Sequence, residues 1–356
     1  MARIFNKQKA ETLSSSDSCS ESNESLREPE NSFCKKDIPK REIRFFRADA
    51  AGNVTLLVTS HVEEADYAAV ARHLLAINEL DGDEIAGEQV AFVVDEDTMC
   101  MCGHEFCGNA SRSFALMKAR GLVTPESAKP GSAQKSYGSA SDDRACKKRG
   151  ISDKITISTS GAERPLDVIV DAKTGFTKIR MPDIIRINRP EELNISDNIT
   201  GMNGITHLVE MDGILHVITS GIEPVRENFN AIKEAVFSSF SGSSGKDLPA
   251  VGVMFTGETV SEDPAADTNK DVIPIRMTPV VYVTEVDTTY FEGSCGSGTT
   301  ALCAALSEGR SDGTYIYDVR QPKGTIRCSC TVRNGSVKAI FIEGPVSISR
   351  EYIVLL

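Results

Sequence analysis

FCGNASRSFALMKARG, residues 106–121, and SCGSGTTALCAALSEG, residues 294–309, follow one plan: Cys, Gly, a small polar residue, a small residue, a helical run and a closing Gly. One copy falls in each half of the chain. A repeat that keeps a Cys-Gly step at a helix start predicts two pseudo-equivalent domains facing one another. The first turn of a helix exposes unpaired N–H groups and the positive end of the backbone dipole. A cysteine placed there is expected as a thiolate, its pKa lowered from about 8.5 to roughly 3.5–7.5. Gly108 and Gly296 let the backbone come close to a ligand, while Asn109, Ser111, Ser297 and Thr299 can supply hydrogen bonds or caps. The same amides can hold a carboxylate.

Outward from these helices, EIRFFRADA and VTLLVTS read as strands around a turn at Ala51-Gly52-Asn53, and residues 64–80 have helical spacing. EQVAFVVD, KITISTS, PLDVIVD, FTKIRMP, THLVEM and ILHVITS are further short β-type runs. ENFNAIKEAVFSSF reads as a helix; AVGVMFT, IRMTPVVYVTEV, GTIRCSCTV, VKAIFIEG and EYIVLL read as strands. The class is α+β. Residues 1–40 are rich in Ser, Glu, Asn and Lys and are expected as a disordered arm. A second such stretch predicts a disordered insertion over 125–153. The expected domains are 41–185, interrupted by that insertion, and 186–356, with the last strand packing back on the first domain.

A chain of 356 residues with 40% hydrophobic content has room for two cores. Its net charge of −12 argues against nucleic acid or an anionic membrane as partner. Small solutes remain, with a homodimer as one possible assembly. No apolar run approaches the roughly 20 residues that span a bilayer, and the first residues lack the apolar core of a secretory signal. A cytoplasmic location is expected. Ten scattered cysteines are then expected reduced.

Two thiols facing each other across a cleft make a two-base device. One removes a proton from a carbon while the other delivers a proton to the opposite face, inverting the centre. Acid–base action supplies about 10²- to 10⁴-fold, and amides aimed at a carboxylate gaining enolate-like charge must supply much of the rest. Cys107 and Cys295 are the candidate catalysts. Cys107 taken alone also reads as a small buried thiol. Cys102 reads as strand-end packing, with Cys100 on the same face of an extended segment. Cys100, Cys102, His104 and Cys107 could instead bind zinc, although one-residue spacing without a C-x₂-C knuckle is a weak signature. His216, in an apolar strand, reads as a core residue or a cleft wall. Glu88 and Glu292 adjoin apolar strands and would bind a cationic part of a substrate if buried in the cleft.

GHEFCGNAS, EGSCGSGTT, AGNVTLLVTS, EQVAFV and VRQPKGTI together resemble the diaminopimelate epimerase superfamily of cofactor-independent racemases and epimerases, over about residue 43 to the end. Within it, the likeness is closest to the histidine racemases of bacterial metallophore pathways. Met-Cys-Gly-His around Cys102 also echoes a motif of proline racemases. The resemblance implies a diaminopimelate epimerase-like fold, two pseudo-symmetric domains each a β-barrel-like sheet around a central helix. It implies an isomerase acting on a small amino acid without PLP or any other cofactor, with Cys107 and Cys295 moving the protons. It carries over Asn53, Glu88, Gly108, Asn109, Glu292, Gly296, Ser297, Gly298 and Thr299 as substrate-binding residues. Diaminopimelate epimerases have a Glu-Arg pair before the second Cys, whereas TTYFEGSCGSG has Glu292 and no Arg. That favours histidine, with diaminopimelate as the alternative substrate. A non-catalytic small-ligand binder of the same fold and a zinc-binding interaction protein are the rivals from other classes.

Overall fold

A computed structural model of the chain describes residues 41–123, 153–190, 204–240, 248–257, 272–284 and 287–356. The predicted N-terminal arm and nearly all of the predicted insertion lie outside these residues; Asp153, counted with the insertion, already opens a strand.

The first strands are β1 (Glu42–Ala50), β2 (Asn53–Val58), the short pair β3 (Glu79–Leu80) and β4 (Asp83–Glu84), β5 (Gln89–Val93), β6 (Thr98–Met101), β7 (Asp153–Thr159), β8 (Leu166–Asp171) and β9 (Phe176–Arg180). Then come β10 (Arg186–Asn188), β11 (Ile205–Met211), β12 (Ile214–Ser220), β13 (Ala250–Thr256), β14 (Val272–Val283), β15 (Thr288–Phe291), β16 (Gly313–Gln321), β17 (Gly324–Arg333) and β18 (Ser336–Leu355). The α-helices are α1 (Tyr67–Leu75), α2 (Gly108–Ala119), α3 (Arg226–Phe240) and α4 (Gly296–Ser307).

Hydrogen bonding runs β1-β2-β5-β6-β7-β8-β9-β18 and returns to β1, closing eight strands into a mixed barrel. From β18 the path continues through β17, β16, β14, β13, β12 and β11 to β10. β18 is therefore shared. Its first part pairs with β17, its middle with β9, and residues 346–355 with β1. The sequence reading ended one strand at Gly344 and began another at Glu351, leaving residues 345–350 between them. The strand continues because Pro345 stands where the ladder changes partners, past β17 and before β1, so its missing N–H falls at a handover.

β1 shows how the layers arise. Its alternation puts Ile43 and Phe45 on one face, against the apolar side of α1, and Phe46, Ala48 and Ala50 on the other, against α2. α2 and α4 are enclosed, their apolar residues joining one continuous core. A helix wrapped on all sides needs small residues and internally satisfied hydroxyls. Ser111 donates to Cys107 O at 2.8 Å and Ser113 to Asn109 O at 2.9 Å; Thr299 donates to Cys295 O at 2.7 Å and Thr300 to Gly296 O at 2.8 Å. α3 lies apart, with Phe229, Ile232 and Val236 against β12 and β13.

His216 on β12 is fully buried, with both ring nitrogens lacking hydrogen-bond partners. It is a core residue, and not a satisfied one. Burial pushes its pKa down to about 3. The sign follows from linkage: between about 3 and the unfolded value near 6.5 only the unfolded chain takes up this proton, so stability present above pH 6.5 is lost on acidification. At pH 5 the loss is about 2 kcal/mol. His216→Leu is expected to flatten the dependence of the urea midpoint on pH between 7.5 and 5 relative to the parent. An unchanged slope refutes it.

Among the described residues, no helix is long and apolar enough to cross a membrane.

Candidate active site

Each repeated motif becomes an N-cap. Cys107 (φ −128°, ψ 110°) and Cys295 (φ −129°, ψ 115°) hold nearly the same extended backbone before α2 and α4. Each sulfur takes an N–H three residues on, from Ala110 at 3.4 Å and from Gly298 at 3.3 Å. Thiols replace the usual Ser, Thr, Asp or Asn at both caps.

The two helix starts meet. A Cβ on Gly108 would stand 3.0 Å from Ile342 Cδ1, and one on Gly296 3.3 Å from that same atom. The Gly296 position also faces the Asn109 carboxamide at 3.8 Å. Gly108, Asn109 and Gly296 thus gather around Ile342 of β18, the strand both helices contact.

Around Cys107, Gln89 Nε2 lies 3.2 Å from the sulfur and also donates to Asn53 Oδ1 and Thr55 Oγ1. Asn53 Nδ2 donates to Glu88 Oε2 at 3.3 Å, and Glu88 Oε1 meets Lys323 Nζ at 2.5 Å. Around Cys295, Ser297 Oγ lies 3.4 Å from the sulfur, and the Cys295 N–H donates to Gln321 Oε1 at 2.8 Å. Gln321 Nε2 in turn donates to Thr299 Oγ1 at 3.0 Å, so the Thr299 hydroxyl is spent on internal bonds. Glu292, whose carboxylate acts on the Cys295 thiol, has its Oε2 buried without a hydrogen-bond partner.

The electrostatics correct one expectation. In place of a depressed pKa at each helix start, burial pushes the Cys107 thiol up, with the Ala110 N–H and Gln89 pulling back. Cys295 goes further up, by burial and then by the neighbouring Glu292 charge. Glu292 itself is pushed up to about 7, by burial first, with Glu88 adding repulsion and the Cys295 hydrogen bond opposing. Desolvation outweighs the helix-start donors at both sulfurs.

Residues 100–104 go elsewhere. Cys102 packs in the apolar cluster beneath α1, with Cys100 partly buried against it; Cys100 Sγ lies 3.3 Å from His104 Nδ1. Among the described residues, no three of His, Cys, Asp and Glu gather closely enough to hold a metal ion.

Gln89, Gln321, Lys323 and Arg112 were not singled out in the sequence. The turn Ala51-Gly52 and the turn before Gly324 abut: a Cβ on Gly52 would run into Lys323, and one on Gly324 into the Ala51 backbone. Gly52 also has φ +83°. Gly52→Ala is expected to cost about 1–3 kcal/mol and to raise the substrate KM, since Lys323 and Asn53 both hold Glu88. A urea midpoint and a KM both at the parent value refute it.

Comparison with known proteins places the chain among the isomerases of the racemase and epimerase class, those that racemise amino acids. In fold, the chain is similar to a hydroxyproline epimerase from Agrobacterium vitis, with a TM-score of 0.50 at 13% identity over 89% of this chain and 93% of that one. The family model for the histidine racemase CntK N-terminal domain matches residues 42–354, and the chain belongs to that family. It is 30% identical over 312 residues to a histidine racemase of Fusobacterium nucleatum, covering 86% of this chain and 95% of that protein. A histidine racemase of Staphylococcus aureus is 22% identical over 297 residues, covering 81% and 88%.

Proposed function

We propose that this chain is a PLP-independent histidine racemase in which Cys107 and Cys295 exchange the α-proton from opposite faces. The observation that carries the reading is the matched pair of thiol N-caps, whose helix starts close on one another at Gly108, Gly296 and Ile342. In this scheme one thiolate takes the proton from Cα while the opposite thiol gives its proton to the other face. The electron pair left by the C–H bond spreads onto the substrate carboxylate, where the N–H groups of residues 108–109 and 296–297 oppose the new charge. Asn53, Glu88, Asn109, Glu292, Ser297 and Thr299 form or brace the pocket.

The raised thiols fit this scheme. A thiol that is neutral in the protein alone loses its proton once a cationic substrate enters beside it, because opposite charge favours the ionised form. The spare Oε2 of Glu292 is the acceptor for that cation.

Two pseudo-equivalent domains, 41–185 and 186–356, belong to the same reading. It is supported by a recurring order: parallel pairs β2–β5 and β12–β13 enclose α1 and α3 in sequence, and parallel pairs β6–β7 and β14–β16 enclose α2 and α4.

Against diaminopimelate, the residue after Glu292 is Gly293, and the space its side chain would need is filled by the aliphatic stem of Lys323. An Arg cannot stand there without displacing that stem. The test is chiral chromatography of L-histidine and of LL-diaminopimelate incubated with purified protein freed of PLP. Formation of D-histidine supports the reading. Turnover of diaminopimelate alone assigns the other substrate, and ligand-induced stabilisation without any racemisation assigns a binding protein.

A further inference from the structure

Arg112, on α2 five residues after Cys107, is fully buried, and all three of its hydrogen bonds go to uncharged oxygens. Nη2 donates to Asn109 Oδ1 at 2.8 Å; Nη1 donates to Gly344 O at 3.3 Å and Thr177 Oγ1 at 3.4 Å. Nε has no partner. A buried guanidinium that meets no carboxylate is costly, and a neutral side chain of similar volume would serve packing better. Structure alone gives no reason for a cation here.

Two consequences follow from where it sits. An Asn carboxamide can face either way, and Arg112, purely a donor, admits only the orientation with Oδ1 toward itself. The NH2 of Asn109 is thereby turned to the Gly296 side, into the gap between the two helix starts. Second, the motif repeat aligns Arg112 with Thr300, whose hydroxyl only returns to Gly296 O. Arg112 is electrostatically coupled to the Cys107 thiol, whereas the Cys295 thiol feels the Glu292 carboxylate. Among the described residues, the other charges acting on Cys107 and Arg112 are Glu105, on the loop before Cys107, and Glu343 of β18, itself paired with Lys178 at 2.6 Å.

We propose that Arg112 is a positioning residue of the racemase. It locks Asn109 as a donor to the substrate carboxylate and makes Cys107 the thiol that ionises first, leaving Cys295 as the first proton donor. This rests on the two-thiol reading above. The two bases of this enzyme are then unlike, and its starting form is matched to one enantiomer.

The test is alkylation of the parent protein and of Arg112→Met and Arg112→Lys by iodoacetamide across pH, with Cys107 and Cys295 read as separate peptides by mass spectrometry, alongside kcat and KM. In the parent, Cys107 is expected to alkylate at lower pH than Cys295. Arg112→Met is expected to move the Cys107 midpoint up by about one pH unit or more, leave Cys295 in place and raise KM about 10-fold, the scale of a lost charge-assisted hydrogen bond. Arg112→Lys restores the charge without the fork, so the Cys107 midpoint returns while KM stays raised. Should the Met variant not fold, the Lys variant alone decides. A parental KM in Arg112→Lys, or a folded Met variant with the parental Cys107 midpoint, overturns the proposal. If the parent racemises no amino acid, the function proposed above fails, and the two alkylation midpoints still report on Arg112.

Discussion

Cys107→Ser and Cys295→Ser are each expected to cut histidine racemisation by roughly 10²- to 10⁴-fold. Inversion needs a proton taken on one face and another given on the opposite face, so neither thiol can substitute for its partner. Serine is the sharper replacement than alanine. Both sulfurs act as helix caps toward Ala110 and Gly298, and alanine would remove a cap worth about 1 kcal/mol along with the chemistry. Serine is a better cap than cysteine, so the variants should unfold at or above the parental temperature while losing activity. That split separates catalysis from packing. Full activity in either folded variant would show that its sulfur only caps a helix.

Glu292→Gln is expected to lower kcat/KM for histidine by about 30-fold or more, because deleting one partner of a buried charge pair costs about 2–5 kcal/mol. The pH dependence carries the diagnosis. Glu292 is pushed up to about 7, mainly by burial. In the proposed reading it is, above that pH, a carboxylate that holds a cationic group of the substrate; below it, the proton on Glu292 competes with the substrate. The parent's kcat/KM should therefore rise through pH 7 from the acid side, and Glu292→Gln should lose this limb. The same substitution removes a negative charge beside Cys295, so the Cys295 thiol should ionise more readily in it. An acid limb that survives Glu292→Gln assigns that limb to another group.

The parts of the site that were legible in sequence are those with local grammar. A Cys-Gly step followed by small residues and a helical run is read within a dozen positions, and it gave both caps, Asn109, Ser297 and the repeat. The residues that brace the caps act over longer range: Gln89 reaches Cys107 across 18 positions, Gln321 reaches Cys295 across 26, and Lys323 reaches Glu88 across 235. No periodicity signals such contacts. β16 was missed because GTYIYDVRQ mixes charged and aromatic residues; it forms because β17 and β14 flank it. The thiol ionisation was misjudged for a similar reason. A helix start is visible in sequence, but the depth at which β18 and the facing helix bury it is not.

The account is tested most directly by racemising L-histidine in D₂O and analysing both enantiomers while less than about a tenth has reacted, since protons on a single-proton thiol are replaced by solvent between turnovers. Two opposed thiols predict deuterium at Cα of nearly all the D-histidine formed, and protium in the L-histidine that remains. Deuterium entering both enantiomers equally from the start, or the original proton carried into the product, would mean that one group serves both faces, and the opposed-thiol mechanism would be wrong.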